Sequence, residues 1–231
     1  MKCLCLIPAR GGSKRIPRKN IKDFCGKPIV AYAIETALKS GIFDEVMVST
    51  DDEEIAEVAK KYGASVPFFR SAETANDYAT TEAVLKEVLA EYEKRGKTFD
   101  IMCNIYPCTP LVTVERLHEC LQKLLDTGAD CCQSMVRFSV PPQQALKNEN
   151  GFLSFLQPEY AYERTQDLEP LYYDAGQFYF YDLKTYHQLD ATQRKNAMIE
   201  LTELESQDVD TLVDWQIAEI KYKLLHGQKV E

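Results

Sequence analysis

Apolar runs that alternate with amphipathic segments constrain the fold of this chain more than any other feature. Residues 2–8 (KCLCLIP) are mostly apolar and end at proline, which is typical of a strand buried on both faces of a parallel sheet. After a long loop, residues 28–41 have helical composition, with Pro28 in the first turn and Gly41 at a C-terminal position that favours a left-handed residue. The chain is therefore predicted to begin as strand, loop and helix.

The alternation continues through most of the chain. Strands are predicted at 45–50, 100–106, 130–136 and 177–181. Helices are predicted where apolar residues recur at helical spacing: Ile55, Val58, Ala59 and Tyr62, after a cap at Asp52; Val84, Leu85, Val88, Leu89 and Tyr92; Val114, Leu117, Leu121, Leu124 and Leu125; and Val213, Ile217, Ile220 and Leu224, before Gly227. Strands alternating with helices predict an α/β fold, a mostly parallel sheet with helices on both faces.

Residues 139–173 interrupt this pattern. They contain Pro, Gln and an Asn-Gly pair, with one short apolar stretch at 152–156. We expect an inserted hairpin or small lobe at about 139–175 within a single domain of residues 1–231, because this length fits one sizeable domain with an insertion.

Composition and charge exclude several classes of protein. Hydrophobic residues make up 45% and charged residues 27%, which is typical of a globular chain. No run reaches the roughly 18 apolar residues of a membrane-spanning helix, and the net charge of −9 argues against a surface for nucleic acids or anionic membranes. Eight cysteines without a CxxC motif are predicted to be reduced packing residues. A cytoplasmic location is therefore expected.

Positive charge is concentrated directly after the first predicted strand. Residues 10–27 hold seven Lys or Arg and a single acidic residue, Asp23, which gives a local charge of +6 on an acidic chain. A segment of this kind at the carboxyl end of a buried strand predicts an anion site. A solvated basic loop without a ligand is the alternative.

The chemistry of this loop suits a triphosphate. In PARGGSKRIPRKN, the paired glycines let backbone N–H groups approach phosphate oxygens. Ser13 adds a hydroxyl donor, and Arg10, Lys14 and Lys19 offset the phosphate charge. The loop matches neither the GxxxxGK[ST] pattern of Walker A loops nor the GxGxxG pattern of dinucleotide-binding proteins, which argues against both classes.

The segment IPARGGSKRIPRKN resembles the signature of the sugar-acid cytidylyltransferases, a family that includes the acylneuraminate cytidylyltransferases. VSTDDEEIAEVAKKYGA, FFRSAETANDYATT, IYPCTPLV and QDVDTLVDW match further family segments in order along nearly the whole chain. The resemblance implies a Rossmann-like sheet, a small dimerisation lobe and hence a homodimer. It also implies nucleotidyl transfer, in which the anomeric hydroxyl of an eight- or nine-carbon 2-keto sugar acid attacks the α-phosphate of CTP and releases pyrophosphate.

Nucleotide-binding roles follow from the same resemblance. It implies that Arg10, Ser13 and Lys14 hold the β- and γ-phosphates, that Lys19 approaches the α-phosphate and that Asn20 contacts the nucleoside. The implied nucleotide-binding residues are Ala9, Arg10, Gly11, Gly12, Ser13, Lys14, Lys19, Asn20, Arg70, Thr80 and Thr81.

Three of these residues lie outside the loop, and alternatives stay open for them. Arg70 and Thr81 match positions that contact the nucleotide in the family. Arg70 could instead form a surface ion pair, and Thr80 or Thr81 could cap the helix that follows them.

A carboxylate pair precedes the final predicted helix. In Asp208-Val209-Asp210, alternate residues of an extended chain point the same way, so both carboxylates can face one Mg²⁺ ion, which shares oxygen ligands with substrate phosphates. Asp210 could instead cap the helix. The triphosphate loop favours the metal interpretation, and Arg10, Lys19, Asp208 and Asp210 are the candidate catalytic residues. The general base stays open, with a metal-bound water or hydroxyl near the pair as one hypothesis.

A second resemblance concerns the sugar acid. YYDAGQFY at 172–179 resembles an element of the pseudaminic acid cytidylyltransferases, whereas sialic acid enzymes carry an Asn-Gly pair there and Gln-Pro in place of Tyr106-Pro107. These departures favour pseudaminic acid. Arg164 is the candidate for binding the sugar carboxylate through two hydrogen bonds, with a solvated surface arginine as the alternative. The candidate sugar-binding residues are Tyr106, Arg164, Asp174 and Gln177.

Other functions stay open on the sequence alone. Synthesis of CMP-sialic acid or CMP-legionaminic acid would use the same machinery with another sugar acid. A metal-dependent glycosyltransferase of similar architecture also uses an Asp-x-Asp site but consumes a nucleotide-sugar, so pyrophosphate release from CTP distinguishes it. A non-catalytic nucleotide-binding module would bind CTP without turnover.

Overall fold

The computed structural model describes residues 1–186 and 192–229 of the chain. The strands of this part are β1 (Cys3–Pro8), β2 (Asp23–Phe24), β3 (Lys27–Pro28), β4 (Glu45–Ser49), β5 (Ile101–Ile105), β6 (Cys131–Arg137), β7 (Leu146–Glu149), β8 (Phe152–Phe155), β9 (Tyr172–Asp182) and β10 (Asn196–Leu201). The α-helices are α1 (Ile29–Ser40), α2 (Glu53–Lys61), α3 (Ala72–Ala75), α4 (Thr81–Lys94), α5 (Val114–Thr127), α6 (Leu183–Tyr186) and α7 (Leu212–Leu225).

Six strands form one sheet in the order β10-β6-β9-β5-β1-β4. β9 runs antiparallel to its neighbours β5 and β6, and the other pairs are parallel. From β1 the chain adds β4 on one side and then returns to add β5 on the other side. The strand order therefore reverses at β1, and open α/β sheets bind ligands in the crevice at the carboxyl ends of the strands at such a point.

Alternate residues of the central strands fill two hydrophobic cores. Cys3, Cys5 and Ile7 of β1 face α1 and α5, whereas Leu4 and Leu6 pack with α4 on the opposite side of the sheet. Because both faces of β1 are buried, its sequence is a continuous apolar run. All eight cysteines are free and seven are buried, so the predicted packing role is confirmed for these seven, whereas Cys25 is half-buried.

The helix boundaries follow the local signals in the sequence. The Asp52 side chain accepts the N–H of Ile55 at 3.0 Å and caps α2, as predicted. At α7, the N-cap is Thr211, which forms a capping box with Asp214. The alternative role of Asp210 as the cap of this helix is therefore wrong.

The C-terminal helix turns a different face to the core from the one expected. Its apolar stripe is exposed: Val213, Ile217, Ile220 and Leu224. The buried side chains are Trp215 and Ala218, and Trp215 packs edge-on against Phe24 with ring centroids 5.4 Å apart. A single indole buries more apolar area than any one member of the stripe, so Trp215 sets the orientation of the helix.

At one side of the sheet, one strand is longer than predicted and another was not predicted at all. β9 extends over Tyr172–Asp182 rather than 177–181, and the edge strand β10 was not predicted. β10 has a neighbour on one side only, β6, and its sequence NAMIEL mixes polar and apolar residues. Such an edge strand lacks the continuous apolar run that identifies the central strands.

Between β6 and β9 the chain forms an antiparallel hairpin from β7 and β8, together with short 3₁₀ turns. Several large apolar side chains of this segment are exposed: Val140, Phe152, Leu153, Leu156 and Tyr162. Among the described residues, none of the helices combines the length and the apolar character that a bilayer crossing requires.

An ion pair joins α5 to the chain that leads into Asp208. Arg116 donates to both carboxylate oxygens of Glu205, from Nε at 2.8 Å and from a terminal nitrogen at 3.0 Å. These bonds hold the pKa of Glu205 at about 2. Because this pKa is lowered on folding, the pair stabilises the fold above the ordinary pKa of 4.5, and its contribution is lost as the pH falls from 4.5 to 2.

Replacing Glu205 with glutamine is expected to lower the free energy of unfolding by on the order of 3 kcal/mol at pH 7 and by about half as much at pH 3. Urea denaturation at the two pH values measures the difference. Glu203→Gln, at an exposed neighbouring carboxylate, is the control. An equal loss at both pH values would contradict the assignment.

Candidate active site

A cavity of about 670 Å³ opens at the carboxyl ends of β1 and β5, where the strand order reverses. Four segments line it: the glycine loop (residues 8–20), the turn after β5 (106–109), part of β9 (174–179), and residues 207–210 before α7. Because open α/β sheets bind ligands at the carboxyl ends of their strands, the sequence predicts the chemistry in the loops after Pro8, Thr50, Tyr106 and Val136. The loops after Pro8 and Tyr106 line the cavity, and those after Thr50 and Val136 do not.

Two close contacts shape the glycine loop. The Gly11 N–H donates to the Asp51 carboxylate at 2.9 Å, and a Cβ at Gly11 would lie 2.8 Å from an Asp52 oxygen, so only glycine fits there. Further along, Arg18 has a left-handed backbone (φ 56°) and donates to both oxygens of Asp52, at 2.5 and 3.0 Å. The two carboxylates after β4 therefore hold the loop in place.

Four cationic side chains of the glycine loop line the cavity, and each contacts an acceptor of the protein. Arg10 and Lys14 both form ion pairs with Asp77, the first at 2.6 Å. Arg15 donates to the two oxygens of Asp210 at 2.7 and 2.6 Å. Lys19 donates to a main-chain carbonyl at 2.7 Å. Carboxylate and carbonyl oxygens thus occupy positions of the kind that phosphate oxygens take.

The Asp208-Val209-Asp210 segment has the alternation expected of it. Val209 is buried in a small hydrophobic cluster that includes Ile16 of the glycine loop and Trp215. The two flanking aspartates consequently face the cavity. Desolvation by the cavity walls, together with the nearby Asp210 carboxylate, raises the pKa of Asp208.

Asn20 connects the glycine loop to the turn after β5. Its Nδ2 donates to the Arg10 carbonyl at 2.9 Å, and its Oδ1 accepts from the Cys108 thiol at 3.3 Å. Burial raises the pKa of Cys108 to about 12, so the thiol keeps its proton and remains a donor. Both ends of the Asn20 amide are therefore oriented within the cavity.

Aromatic side chains form the opposite wall. Tyr106 and Tyr179 meet edge to face with centroids 5.9 Å apart. The Tyr179 hydroxyl donates to Asp174 at 2.7 Å, and the Tyr106 hydroxyl lies 3.0 Å from the Thr81 hydroxyl. Within residues 1–186 and 192–229, the polar groups of this wall are hydroxyls and a carboxylate.

The predicted site residues divide into two groups. Those that line the cavity are Arg10, Ser13, Lys14, Lys19, Asn20, Tyr106, Asp174, Asp208 and Asp210. Those that lie outside its lining are Ala9, Gly11, Gly12, Arg70, Thr80, Thr81, Arg164 and Gln177.

Several residues of the second group have identifiable contacts. Arg70 is buried and donates to the side chain and carbonyl of Ser49, so its alternative role in a surface ion pair is wrong. The Thr80 hydroxyl accepts from the Ala83 N–H and caps α4.

Two predicted sugar-binding residues also lie apart from the cavity. Arg164 is exposed between β8 and β9 and pairs with Asp167 at 2.6 Å. Gln177 is almost fully buried, and its Nε2 donates to the Glu205 carbonyl at 2.6 Å. Gln177 thus ties β9 to the segment before Asp208 from behind the cavity.

Further residues that were not among the candidate site residues line the cavity: Arg15, Cys108, Thr109, Tyr179 and Gln207. Tyr179 belongs to an aromatic run, 172–181, which the sequence offered either as sugar contacts or as strand core. Arg15 belongs to the basic segment, and Cys108 and Thr109 follow Tyr106, so the signals for a loop site were present for these three. Nothing in the sequence distinguishes Gln207 from other polar loop residues.

Comparison with known proteins decides the family. A family model described as cytidylyltransferase matches residues 4–228. The chain belongs to the cytidylyltransferase family. It is 41% identical to a pseudaminic acid cytidylyltransferase of Campylobacter jejuni over 98% of each chain, and 32% identical to a CMP-N,N'-diacetyllegionaminic acid synthase of Legionella pneumophila over 95% of each chain. The family inferred from the sequence is confirmed, and this cytidylyltransferase is a nucleotidyltransferase.

Among solved structures, the fold matches CMP:2-keto-3-deoxy-manno-octonic acid synthetase complexed with CTP. The TM-score is 0.70 at 21% identity, over 98% of this chain and 100% of that chain. At this identity the likeness concerns the fold alone. The predicted Rossmann-like α/β fold, with a mostly parallel sheet, is confirmed.

Proposed function

We propose that this cytidylyltransferase couples CTP to pseudaminic acid, a nine-carbon 2-keto sugar acid, and forms the CMP-sugar and pyrophosphate. One observation carries the proposal: four cations of the glycine loop and the carboxylates Asp174, Asp208 and Asp210 line a single cavity. A polyanionic tail fits the cationic side. The identity to the Campylobacter enzyme over nearly the whole chain supports the choice of sugar acid.

The nucleotide would lie along the glycine loop. Arg10, Ser13 and Lys14 are the proposed contacts of the β- and γ-phosphates, Lys19 that of the α-phosphate, and Asn20 that of the nucleoside. Their side chains share the cavity, which is the geometric requirement for one extended ligand.

Arg70 and Thr81 lie behind this site, so we propose that they support it indirectly. Arg70 donates to Ser49 at the carboxyl end of β4. Thr81 contacts the hydroxyl of Tyr106, which itself lines the cavity. The first contact holds the end of the strand that leads to Asp51, which accepts the Gly11 N–H, and the second holds Tyr106 itself.

Asp208 and Asp210 fit Mg²⁺ as ligands. Within residues 1–186 and 192–229, no group of three or more His, Cys, Asp or Glu side chains is arranged to hold a metal ion. Mg²⁺ commonly binds one or two carboxylates and completes its coordination with water and substrate phosphates, so a pair suffices. Desolvation, and after it repulsion by the Asp210 carboxylate, raises the pKa of Asp208, and a bound cation would relieve that repulsion. When bound, Mg²⁺ would supply positive charge for the α-phosphate.

The residues of the chain would act mainly by position and charge. The anomeric hydroxyl of the sugar acid attacks the α-phosphate in line with the departing pyrophosphate. Lys19, near the end of the glycine loop, has its Nζ 3.8 Å from the Asp210 carboxylate and would stabilise charge at the α-phosphate. Arg10 and Lys14 would stabilise the pyrophosphate as it leaves.

The hairpin between β6 and β9 supports a further part of the proposal, a homodimer formed through this lobe. Its exposed side chains Phe152, Leu153 and Tyr162 offer an apolar surface of the type that interfaces cover. A cytoplasmic location, and the lack of nucleic-acid and membrane partners, stay predictions from composition and charge.

Pyrophosphate release from each of the four nucleoside triphosphates, paired with a panel of sugar acids, tests the function. The panel comprises pseudaminic acid, N,N'-diacetyllegionaminic acid, sialic acid and 2-keto-3-deoxy-manno-octonic acid. We expect strong preference for CTP with pseudaminic acid. Preference for another acid would reassign the substrate. Sugar transfer from a nucleotide-sugar without pyrophosphate release from CTP would indicate a glycosyltransferase, and CTP binding without turnover a non-catalytic module.

Replacing Asp77 with asparagine is expected to lower the Kd for CTP by about three- to tenfold. Asp77 pairs with Arg10 and Lys14, which the triphosphate needs, so the carboxylate competes with the ligand. All three side chains are substantially exposed, so water and salt screen both pairs and the expected change is modest. Isothermal titration calorimetry with CTP measures the change, and Glu73→Gln in the adjacent α3 is the control. Weaker binding by the Asp77 variant would mean that this carboxylate orients the cations instead.

A further inference from the structure

A large β-bulge brings Asp174 and Tyr179 of β9 together at the cavity. On β6, Gln133 pairs with Tyr179 and Met135 with Asp174, so Ser134 alone lies opposite the four residues 175–178. Residues five apart in a regular strand point to opposite faces, but the bulge, with Gly176 at φ 63°, places both side chains on the cavity side. Bulges of this kind commonly lie next to active sites, where they redirect side chains.

Two hydrogen bonds define what this pair presents to a ligand. Asp174 accepts the Gly176 N–H through Oδ1 at 2.8 Å and the Tyr179 hydroxyl through Oδ2 at 2.7 Å. Burial and the Asp174 carboxylate raise the pKa of Tyr179, so its proton stays on the phenol. Because that proton is donated to Asp174, the phenolic oxygen offers only lone pairs to the cavity. The pair therefore presents hydrogen-bond acceptors and no donor.

The neighbouring side chains that the structure describes leave the Asp174–Tyr179 pair as a set of hydrogen-bond acceptors, because they restrict its movement and do not neutralise its charge. The Tyr106 ring packs edge-on against Tyr179 and limits its movement. Among the described residues, Asp174 forms no ion pair within 4.0 Å that would neutralise it. The phosphate-binding cations contact other acceptors, Arg10 and Lys14 on Asp77 and Arg15 on Asp210.

From this geometry we propose that the Asp174–Tyr179 pair recognises the N–H of an acylamino group on the sugar acid. The inference rests on the proposed function and deepens it, since it names the chemical group of the sugar acid that these two residues bind. The carboxylate of the sugar acid and the oxygen of an acyl group are repelled by lone pairs there. A hydroxyl can rotate to donate or accept, whereas an amide N–H is always a donor. The pair is thus a specificity determinant for amide-bearing sugar acids.

The test combines a substitution with a change in the ligand. Asp174→Asn keeps the size of the side chain, but its amide nitrogen must face Tyr179 if its oxygen keeps the Gly176 N–H. The Tyr179 hydroxyl would then point its proton into the cavity, which reverses the polarity of the wall. The ligands are pseudaminic acid and ester analogues in which each N–H in turn is replaced by oxygen, at saturating CTP.

We expect the wild-type protein to prefer the amide over one ester analogue by about 10- to 100-fold in kcat/KM, the range of a hydrogen bond to a charged acceptor. Asp174→Asn should remove most of this preference by lowering kcat/KM for the amide, with the Kd for CTP unchanged. Tyr179→Phe removes one acceptor and should therefore remove part of the preference for the amide. It provides a second variant if Asp174→Asn does not fold.

Asp182→Asn is the matched control. Asp182 lies on the same strand, accepts the N–H two residues ahead at 2.9 Å as Asp174 does, and is outside the cavity. It should retain the amide preference. Equal loss on amide and ester, or an unchanged preference in both Asp174→Asn and Tyr179→Phe, would overturn the inference alone. Absence of pyrophosphate release by the wild-type protein with every nonulosonic acid would overturn the proposed function as well.

Discussion

Replacing Asp208 with asparagine is expected to lower kcat for Mg²⁺-dependent pyrophosphate release by about 100- to 1,000-fold. The substitution removes a proposed ligand of the Mg²⁺ ion that would supply positive charge at the α-phosphate, and losses of this size follow when a preorganised electrostatic group is removed. Asp208 is the cleaner of the two aspartates to test because Asp210 also pairs with Arg15, so Asp210→Asn would release a cation of the glycine loop at the same time.

Initial rates across a Mg²⁺ titration, at saturating CTP and sugar acid, measure this effect. Asp126→Asn is a suitable control because Asp126 lies on the surface of α5 and contacts Gln122. Asp210→Asn should show a comparable loss. If either Asp208→Asn or Asp210→Asn kept full Mg²⁺-dependent turnover, the proposed metal role of that aspartate would be wrong.

Replacing Lys19 with methionine is expected to lower kcat/KM for CTP by about 100-fold or more. Methionine retains much of the apolar stem but removes the ammonium group, which donates to the Val209 carbonyl at 2.7 Å and lies 3.8 Å from Asp210. The substitution therefore removes the charge that we propose acts on the α-phosphate, and also the link between the glycine loop and the carboxylate pair.

The control is Lys22→Met, which removes a cation of the same basic segment. Lys22 lies over the Trp215 ring, 5.5 Å from its centroid, and does not line the cavity. Thermal unfolding of both variants separates loss of catalysis from loss of structure. A Lys19 variant with wild-type kcat/KM would remove this residue from the catalytic set.

The ion pairs around the cavity suggest how the site keeps four cations close together before a nucleotide binds. Asp77 and Asp210 lie against Arg10, Lys14 and Arg15 and neutralise much of their charge. A triphosphate must exchange with these carboxylates, so CTP binding is expected to weaken with increasing salt less steeply than four free cations would imply. The same exchange underlies the expected tighter binding of CTP by the Asp77 variant.

Short-range features of the site were predictable because each depends on adjacent residues. In Asp208-Val209-Asp210, one apolar residue between two carboxylates determines the orientation of all three once Val209 is buried. The glycine pair and its cations follow directly on β1, so their place at the end of that strand followed from the strand prediction.

An irregularity in β9 explains why Gln177 was chosen as a candidate sugar-binding residue and Tyr179 was left as one member of an aromatic run. Gln177 was a candidate, yet it is buried behind the cavity, whereas Tyr179 lines it. The bulge over 175–178 shifts the register against β6, and a shift of register changes which face each side chain occupies. Sequence alternation alone does not reveal where such a bulge occurs.

By itself the sequence determined the α/β class, the glycine loop with its cations and the carboxylate pair, since these depend on local periodicity and on neighbouring residues. Only the tertiary structure decided that β9 is antiparallel, that Arg15 meets Asp210 across 195 residues, and that the Asp174 carboxylate accepts the Tyr179 hydroxyl. Contacts of this kind depend on strand order and register, which are set by the packing of the whole sheet.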